Sequence, residues 1–312
     1  MATSGTYNLS TTLNELLEES FDLLQVGADG ETLSGNEYSR GKKTLNFMLK
    51  AWEGQGIHLW TYETGTLFLT IGQSSYAFGD ATTHLANDYN QTTTDADEAI
   101  GQTVISVTST SGFANNDPIG IVDDNNEIHW STIVSFVADD TVTINDALTV
   151  AASSGNIVYH YTLSSFKPVS RITSVRRKES TDYEIPINFL SKEDYENLPN
   201  KSQNGTVIQA YYERKEPTGT MFVWNPPVSG IPVLRFSYER RIEIMSDGED
   251  TFDMPEYWFE AIIWNLADRL KAKYGCSPQR AVFIEQKAKE FLDVALGYDT
   301  APYPVTVNIR QH

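Results

Sequence analysis

Apolar positions in the first fifty residues recur at helical spacing. Leu13, Leu16, Leu17, Ser20 and Leu24 share one face, and Thr12 with Glu15 has capping-box spacing, which predicts a helix from about 12 to 26 that Ala28-Asp29-Gly30 ends. Ser34 and Glu37 repeat the box. Tyr38, Leu45, Met48, Leu49 and Trp52 then form a stripe opposite Arg40, Lys43 and Lys50, until Gly54 and Gly56 stop the helix. Residues 60–62 and 66–71 read as a β-hairpin closed near Thr64-Gly65.

From 81 to 161 the period becomes two. Val/Ile/Thr-rich runs at 103–108, 118–122, 127–137, 141–144 and 157–161 are separated by turn residues such as Asn115-Asn116-Asp117 and Asp139-Asp140. Five short strands predict a small all-β barrel or sandwich. The polar stretch 87–97 leads into it like a linker, so this domain reads as an insert.

A second β-rich region spans 167–244. Leu234, Phe236 and Tyr238 alternate with Arg235, Ser237, Glu239 and Arg241, which predicts a sheet with one buried face and one wet, partly basic face. Tyr183, Ile185 and Ile187 repeat the pattern, 207–212 and 221–224 supply further strands, and a short helix begins at 191–194.

At the C-terminal end a helix is expected from 253 to 274, with Asp253 as cap and Pro255 in its first turn. Phe259, Ile262, Ile263, Leu266 and Leu270 form its core stripe. Tyr257, Ala261 and Trp264 lie roughly opposite, a second apolar face to be covered either by the inserted sheets or by a neighbouring subunit, and hence a candidate subunit interface. A second helix, 277–296, follows. In the tail, Val305, Val307 and Ile309 alternate with Thr306, Asn308 and Arg310, strand spacing without an adjacent partner.

The predicted class is therefore α+β. Two N-terminal and two C-terminal helices form a core that carries a β-rich region, the inserted all-β domain and an extended C-terminal arm. The expected boundaries are 1–80, 81–165, 166–250, 251–297 and 298–312.

With 312 residues, 40% of them apolar, the chain can bury one or two cores. No apolar run is long enough to cross a membrane and the first four residues lack the character of an export signal, so neither membrane nor secretion is expected. The lone Cys276 reads as a structural residue at a helix boundary and fits synthesis in a reducing cytoplasm.

The net charge of -19 is uneven. Residues 51–166 contain no Lys or Arg and 14 acids, whereas 167–312 hold 21 acids and 19 bases. Such a field repels nucleic acid, which argues against specific DNA binding through the insert. Asp123, Asp124, Glu127, Asp139 and Asp140 are candidates for an acidic surface, whose simplest role is to keep a polar β domain soluble.

Motifs for chemistry are missing. The chain has no Gly-x-Ser-x-Gly elbow, phosphate loop, dinucleotide fingerprint or His-Glu-x-x-His, and its five histidines are scattered singly. Residues 123–127 superficially suggest a calcium loop but lack the required Gly and distal Glu, so a hairpin turn is expected. No catalytic residue, metal ligand or cofactor is predicted.

The stretch 167–275 resembles the head-to-tail adaptors of short-tailed bacteriophages, ring proteins beneath the portal that are also called tail accessory or packaged-DNA stabilisation factors. The resemblance lies in Leu198-Pro199-Asn200-Lys201, Tyr211-Tyr212, Trp224-Asn225-Pro226-Pro227, Tyr238-Glu239-Arg240-Arg241-Ile242, Asp253-Met254-Pro255-Glu256-Tyr257-Trp258, and Leu266-Ala267 through Tyr274-Gly275. The N-terminal helices and hairpin agree in order and character. Gly101-Gln102-Thr103 and Ile128-His129-Trp130-Ser131-Thr132 in the insert resemble a small β module of phage neck and tail proteins, although compact adaptors would lack such an insert.

The resemblance implies a non-enzymatic virion protein at the neck, made in the host cytoplasm. It would form a homo-oligomeric ring of twelve copies, contact the portal protein on one side and tail or nozzle proteins on the other, and let DNA pass without specific binding. A portal-binding arm would use Tyr298, Pro302, Tyr303, Pro304, Val305, Val307 and Ile309, through backbone pairing and side-chain pockets. Two other classes compete. A receptor- or glycan-binding virion protein would present Trp130, Tyr159 and Tyr161 as a binding face, and a cell-wall-degrading enzyme would need a cleft with a raised-pKa carboxylate.

Overall fold

A computed structural model describes residues 9–26, 32–55, 61–79, 84–162, 166–179, 183–215 and 217–299. In chain order the elements are α1 (Leu13–Asp22), α2 (Gly35–Glu53), β1 (Tyr62–Phe68), β2 (Ser75–Ala77), β3 (Leu85–Ala86), β4 (Asn90–Thr93), β5 (Val104–Ser106), β6 (Pro118–Val122), β7 (Ile128–Phe136), β8 (Thr141–Ile144), β9 (Ile157–His160), β10 (Val169–Lys178), β11 (Glu184–Pro186), β12 (Asn188–Phe189), α3 (Lys192–Glu196), β13 (Gln209–Glu213), β14 (Thr220–Trp224), β15 (Val233–Arg240), α4 (Phe259–Tyr274) and α5 (Pro278–Tyr298). The fold is mixed α+β. It divides into a helical unit, Met1–Thr61 with Ile242–His312, and a β unit, Tyr62–Arg241.

Both capping boxes of the helical unit form. Thr12 and Glu15 close the start of α1, and Ser34 and Glu37 that of α2, each side chain accepting from the other residue's backbone N–H. Leu13, Leu16, Leu17, Phe21, Leu45, Met48, Leu49 and Trp52 meet Ile262, Leu266 and Leu270 of α4 in one core. Gly41 lets α1 approach, since a Cβ there would lie 2.9 Å from Leu17 Cδ2.

The start of α4 departs from expectation. A 3₁₀ turn, Glu256–Trp258, precedes the helix, and no side chain caps either one. Trp258, fully buried with its ring 5.4 Å from that of Trp52, anchors this entry. Gly275, with φ at +78°, ends α4, and Ser277 caps α5.

Among the described residues the β unit has three sheets, ordered β11-β10-β15-β1-β3, β12-β13-β14-β2 and β4-β9-β6-β7-β8-β5. Alternation sends Leu67, Leu234, Phe236 and Tyr238 of the five-stranded sheet into one core with Tyr76, Met221 and Val223, while Phe68 and Val233 point to the other side, against Val122, Tyr159 and Tyr161 of the insert. At that end the five-stranded sheet is buried on both faces, not on one as the alternation alone suggested.

Two further expectations are corrected. Residues 62–68 form one continuous strand paired with β15 and β3, with no hairpin at Thr64-Gly65. Gly65 is needed because the Phe236 ring lies over it; a Cβ would sit 2.5 Å from Phe236 Cζ. The stretch read as a linker contains β4, which pairs with β9 from Asn90↔His160 to Thr93↔Ile157. The insert thus has six strands in one sheet around Ile105, Ile119, Ile121, Ile133, Val142 and Val158.

Candidate functional site

The residues singled out in the sequence fall into four places. Of the arm, Tyr298 and Asp299 are described: Tyr298 is the last residue of α5 and Asp299 its C-cap, neither part of an extended segment. Pro302, Tyr303, Pro304, Val305, Val307 and Ile309 lie outside the described residues. The point from which they depart is well defined. Asp299 is 1% exposed, its backbone N–H donates to Ala295 O, and its carboxylate Oδ1 accepts from the Tyr257 hydroxyl at 3.2 Å. The Tyr257 and Tyr298 rings lie 5.6 Å apart. Burial, with the Asp299 carboxylate beside it, raises the Tyr257 pKa and keeps its hydroxyl protonated as a donor.

The second face of α4 packs against α5. Ala261 is fully buried and unavailable to a neighbour. Trp264 packs edge-on against Phe283 at 5.7 Å and stacks on Phe291 at 6.0 Å, while its Nε1–H donates to Glu260 at 3.0 Å. Tyr257 and Trp264 therefore act first within the chain. Trp264→Ala is expected to lower the stability of the helical unit by about 2–4 kcal/mol, near the lower end of the range for truncating a buried tryptophan because this ring is partly exposed. Urea unfolding followed by far-UV circular dichroism checks it.

The acidic candidates are not one surface. Asp123 is 5% exposed, and its carboxylate accepts from the backbone N–H of Asn125 at 2.8 Å and Glu127 at 3.0 Å, closing the β6–β7 turn. That turn is the expected hairpin, and no group of three potential ligands for a metal ion exists among the described residues. Asp124 is exposed but ties the turn to the Ser153 backbone N–H at 2.8 Å and to Asn156 at 3.0 Å; the first of these bonds is the main cause of its lowered pKa. Asp139 sits at φ +49° and accepts from Ser109 and Thr110. Glu127 and Asp140 remain as exposed carboxylates.

The proposed glycan face is a core. Tyr159 is 1% and Tyr161 5% exposed, and with Trp130 and Tyr89 they surround the Phe68 ring at centroid distances of 5.0 to 5.8 Å. The Tyr159 hydroxyl donates to Ile231 O at 2.8 Å, and His84 stacks on Trp130 at 3.9 Å while sharing a hydrogen bond with the Tyr161 hydroxyl. These aromatics attach the insert to the five-stranded sheet, which removes the binding face that the glycan-binding reading required.

Burial pushes the His84 pKa down to about 4. The folded chain holds the imidazole neutral, while the unfolded chain takes up a proton near pH 6.5. Its contribution to stability is therefore whole above about pH 6.5 and is lost as pH falls toward 4. His160, also lowered by burial, acts in the same sense. Urea midpoints at pH 7 and pH 5 should differ less in His84→Gln than in the parent chain, with the residual slope belonging to His160 and the carboxylates.

The segments that carry the family resemblance hold the scaffold. The Tyr238 hydroxyl donates to Glu63 at 2.9 Å, and Arg240 pairs with the same carboxylate at 2.7 Å. Pro226 and Pro227 carbonyls accept from Gly205 and Gly72 at 2.8 Å, and the Trp224–Asn225 peptide is cis. Leu266 and Ala267 are fully buried.

No protein-family model matches this chain, and no curated protein sequence does. Among solved structures, VP17, a capsid protein of bacteriophage P23-77, aligns over 61% of this chain and 77% of its own at 9% identity, with a TM-score of 0.14, a likeness that establishes neither fold nor function.

Proposed function

We propose that this protein is a structural component of a phage virion, a head-to-tail adaptor whose C-terminal arm docks onto a portal ring. One observation carries the reading: the anchored root at Asp299, from which residues 300–312 depart. A segment with strand alternation that is tethered to a buried, hydrogen-bonded residue starts from a fixed place, so less freedom is lost when it enters a groove on another molecule. Pro302 and Pro304 reduce that loss further. The ordered resemblance over 167–275 supplies the family, and with it the ring of copies, the portal on one side and tail components on the other.

The exposed acids suit the same role. Asp95, Asp97, Asp124, Glu127, Asp140 and Asp146 face solvent in a domain without a single Lys or Arg between 51 and 166. A surface of this sign releases no phosphate counterions and gives passing duplex DNA nothing to adhere to. Turnover has no part in the proposal.

Mass measurement in solution tests it. The 35.0 kDa chain is expected to remain a monomer alone and to assemble into a ring of defined stoichiometry when portal rings are added. A chain that stays monomeric at micromolar concentration beside intact portal rings would rule the reading out.

A further inference from the structure

We propose that a cleft in the β unit, about 470 Å³ in volume, binds a carboxylated sugar of the uronic-acid class. The inference is independent of the connector reading. Its basis is a group of cations placed together at a cost. Arg235 of β15 stands directly opposite Arg176 of β10 in the antiparallel register, and residues so paired project to the same face, where like charges repel. Arg176 has Glu184 at 3.5 Å, yet its Nε is buried without a hydrogen-bond partner. The Arg235 guanidinium has neither ion pair nor hydrogen bond among the described residues, and it lines the cleft. Lys178 also lines it, with its ammonium 5.4 Å from the centroid of the Tyr89 ring.

The uncharged and acidic groups of the lining select the ligand. Thr92, Thr93 and Thr108 present hydroxyls that are already held: Thr93 and Thr108 are hydrogen-bonded to each other at 2.9 Å, and Thr92 accepts from the Ser109 backbone N–H at 3.1 Å. Asp88 places a carboxylate on the same lining. A guanidinium binds a carboxylate through two parallel N–H···O bonds, whereas the Asp88 charge opposes a dianion such as phosphate and accepts readily from hydroxyls. One carboxylate on a molecule with several hydroxyls satisfies both kinds of lining group. The volume matches one or two sugar rings and falls within the range of small-molecule sites.

Calorimetric titration of the full chain with glucuronate, glucose, inorganic phosphate and a tetraglutamate peptide tests the assignment. Glucuronate is expected to bind more tightly than the other three, and Arg235→Gln to weaken it at least tenfold with the near-ultraviolet dichroism unchanged. Should Arg235→Gln fail to fold, Lys178→Gln is the second variant, with a several-fold loss expected. Absence of glucuronate binding, binding unchanged in the folded variant, or tighter binding of phosphate or the peptide would each overturn the proposal. A tetra-uronate arm separates the sources. More than tenfold tighter binding than the monosaccharide supports an acidic polysaccharide, and equal binding supports a free sugar acid.

Discussion

A chain ending at Asp299 should unfold at the same temperature as the full chain and fail to attach to portal rings. The expectation rests on the contacts that Tyr298 and Asp299 make within the helical unit. Tyr298 closes α5 with its ring 5.6 Å from that of Tyr257, and Asp299 is buried with its carboxylate on the Tyr257 hydroxyl, so both residues belong to the helical unit and must be retained. A deletion that began at Tyr298 would mix loss of the arm with damage to its root. The truncation after Asp299 removes only residues 300–312, among them the alternating Val305, Val307 and Ile309. Loss of the backbone pairing and side-chain pockets attributed to them should remove attachment outright, readable by co-sedimentation with portal rings. An unchanged melting temperature with full attachment would show that another surface binds. A fall of several degrees would show that residues 300–312 pack against their own chain, since about 1 kcal/mol in a protein of this size moves the midpoint by only a few degrees.

The largest loss of stability is expected from Phe68→Ala. This ring is 2% exposed and is the shared contact of Tyr89, Trp130, Tyr159 and Tyr161, on the face of β1 that meets the insert. Truncation leaves a cavity lined by rings from three separate stretches of chain, at Tyr89, Trp130 and Tyr159 with Tyr161, which cannot all collapse inward, and a cost of about 3–5 kcal/mol follows. The effect should be local. Amides of β9 and β4 should lose hydrogen-exchange protection, while those of α1 and α4, in the other unit, keep theirs. A loss under 1 kcal/mol would mean that the cluster does not hold the insert in place.

What was legible in the sequence was what neighbouring residues decide among themselves. The capping boxes at Thr12 and Ser34 involve residues three apart, and both formed. The alternation of Leu234, Phe236 and Tyr238 placed all three inside. What escaped depends on residues distant in the chain. Gly65 resembles a turn until Phe236 is brought over it. The polar strand β4 has no apolar alternation to reveal it, because it lies at a sheet edge and gains its place through pairing with β9. Trp130, Tyr159 and Tyr161 read as a binding face because Phe68, the residue that covers them, lies some sixty positions or more upstream.

Among the candidate site residues the same division holds. Helical periodicity placed Tyr257, Ala261 and Trp264 on one face of the helix expected at 253–274, but which element covers that face depended on how α5 returns against it. The role of Tyr257 as an anchor for Asp299, 42 residues later, left no local signature. Asp123 and Asp124 looked like surface charge, and only the β6–β7 turn shows that the former is buried to satisfy backbone donors.

A cryo-electron reconstruction of an intact particle carrying this protein tests the central claim most directly. The account predicts density for both units at the portal vertex, in a closed ring, with residues 300–312 of each copy lying in a groove of the portal. Density for the protein anywhere else on the particle, or a ring in which those residues touch no other chain, would contradict it.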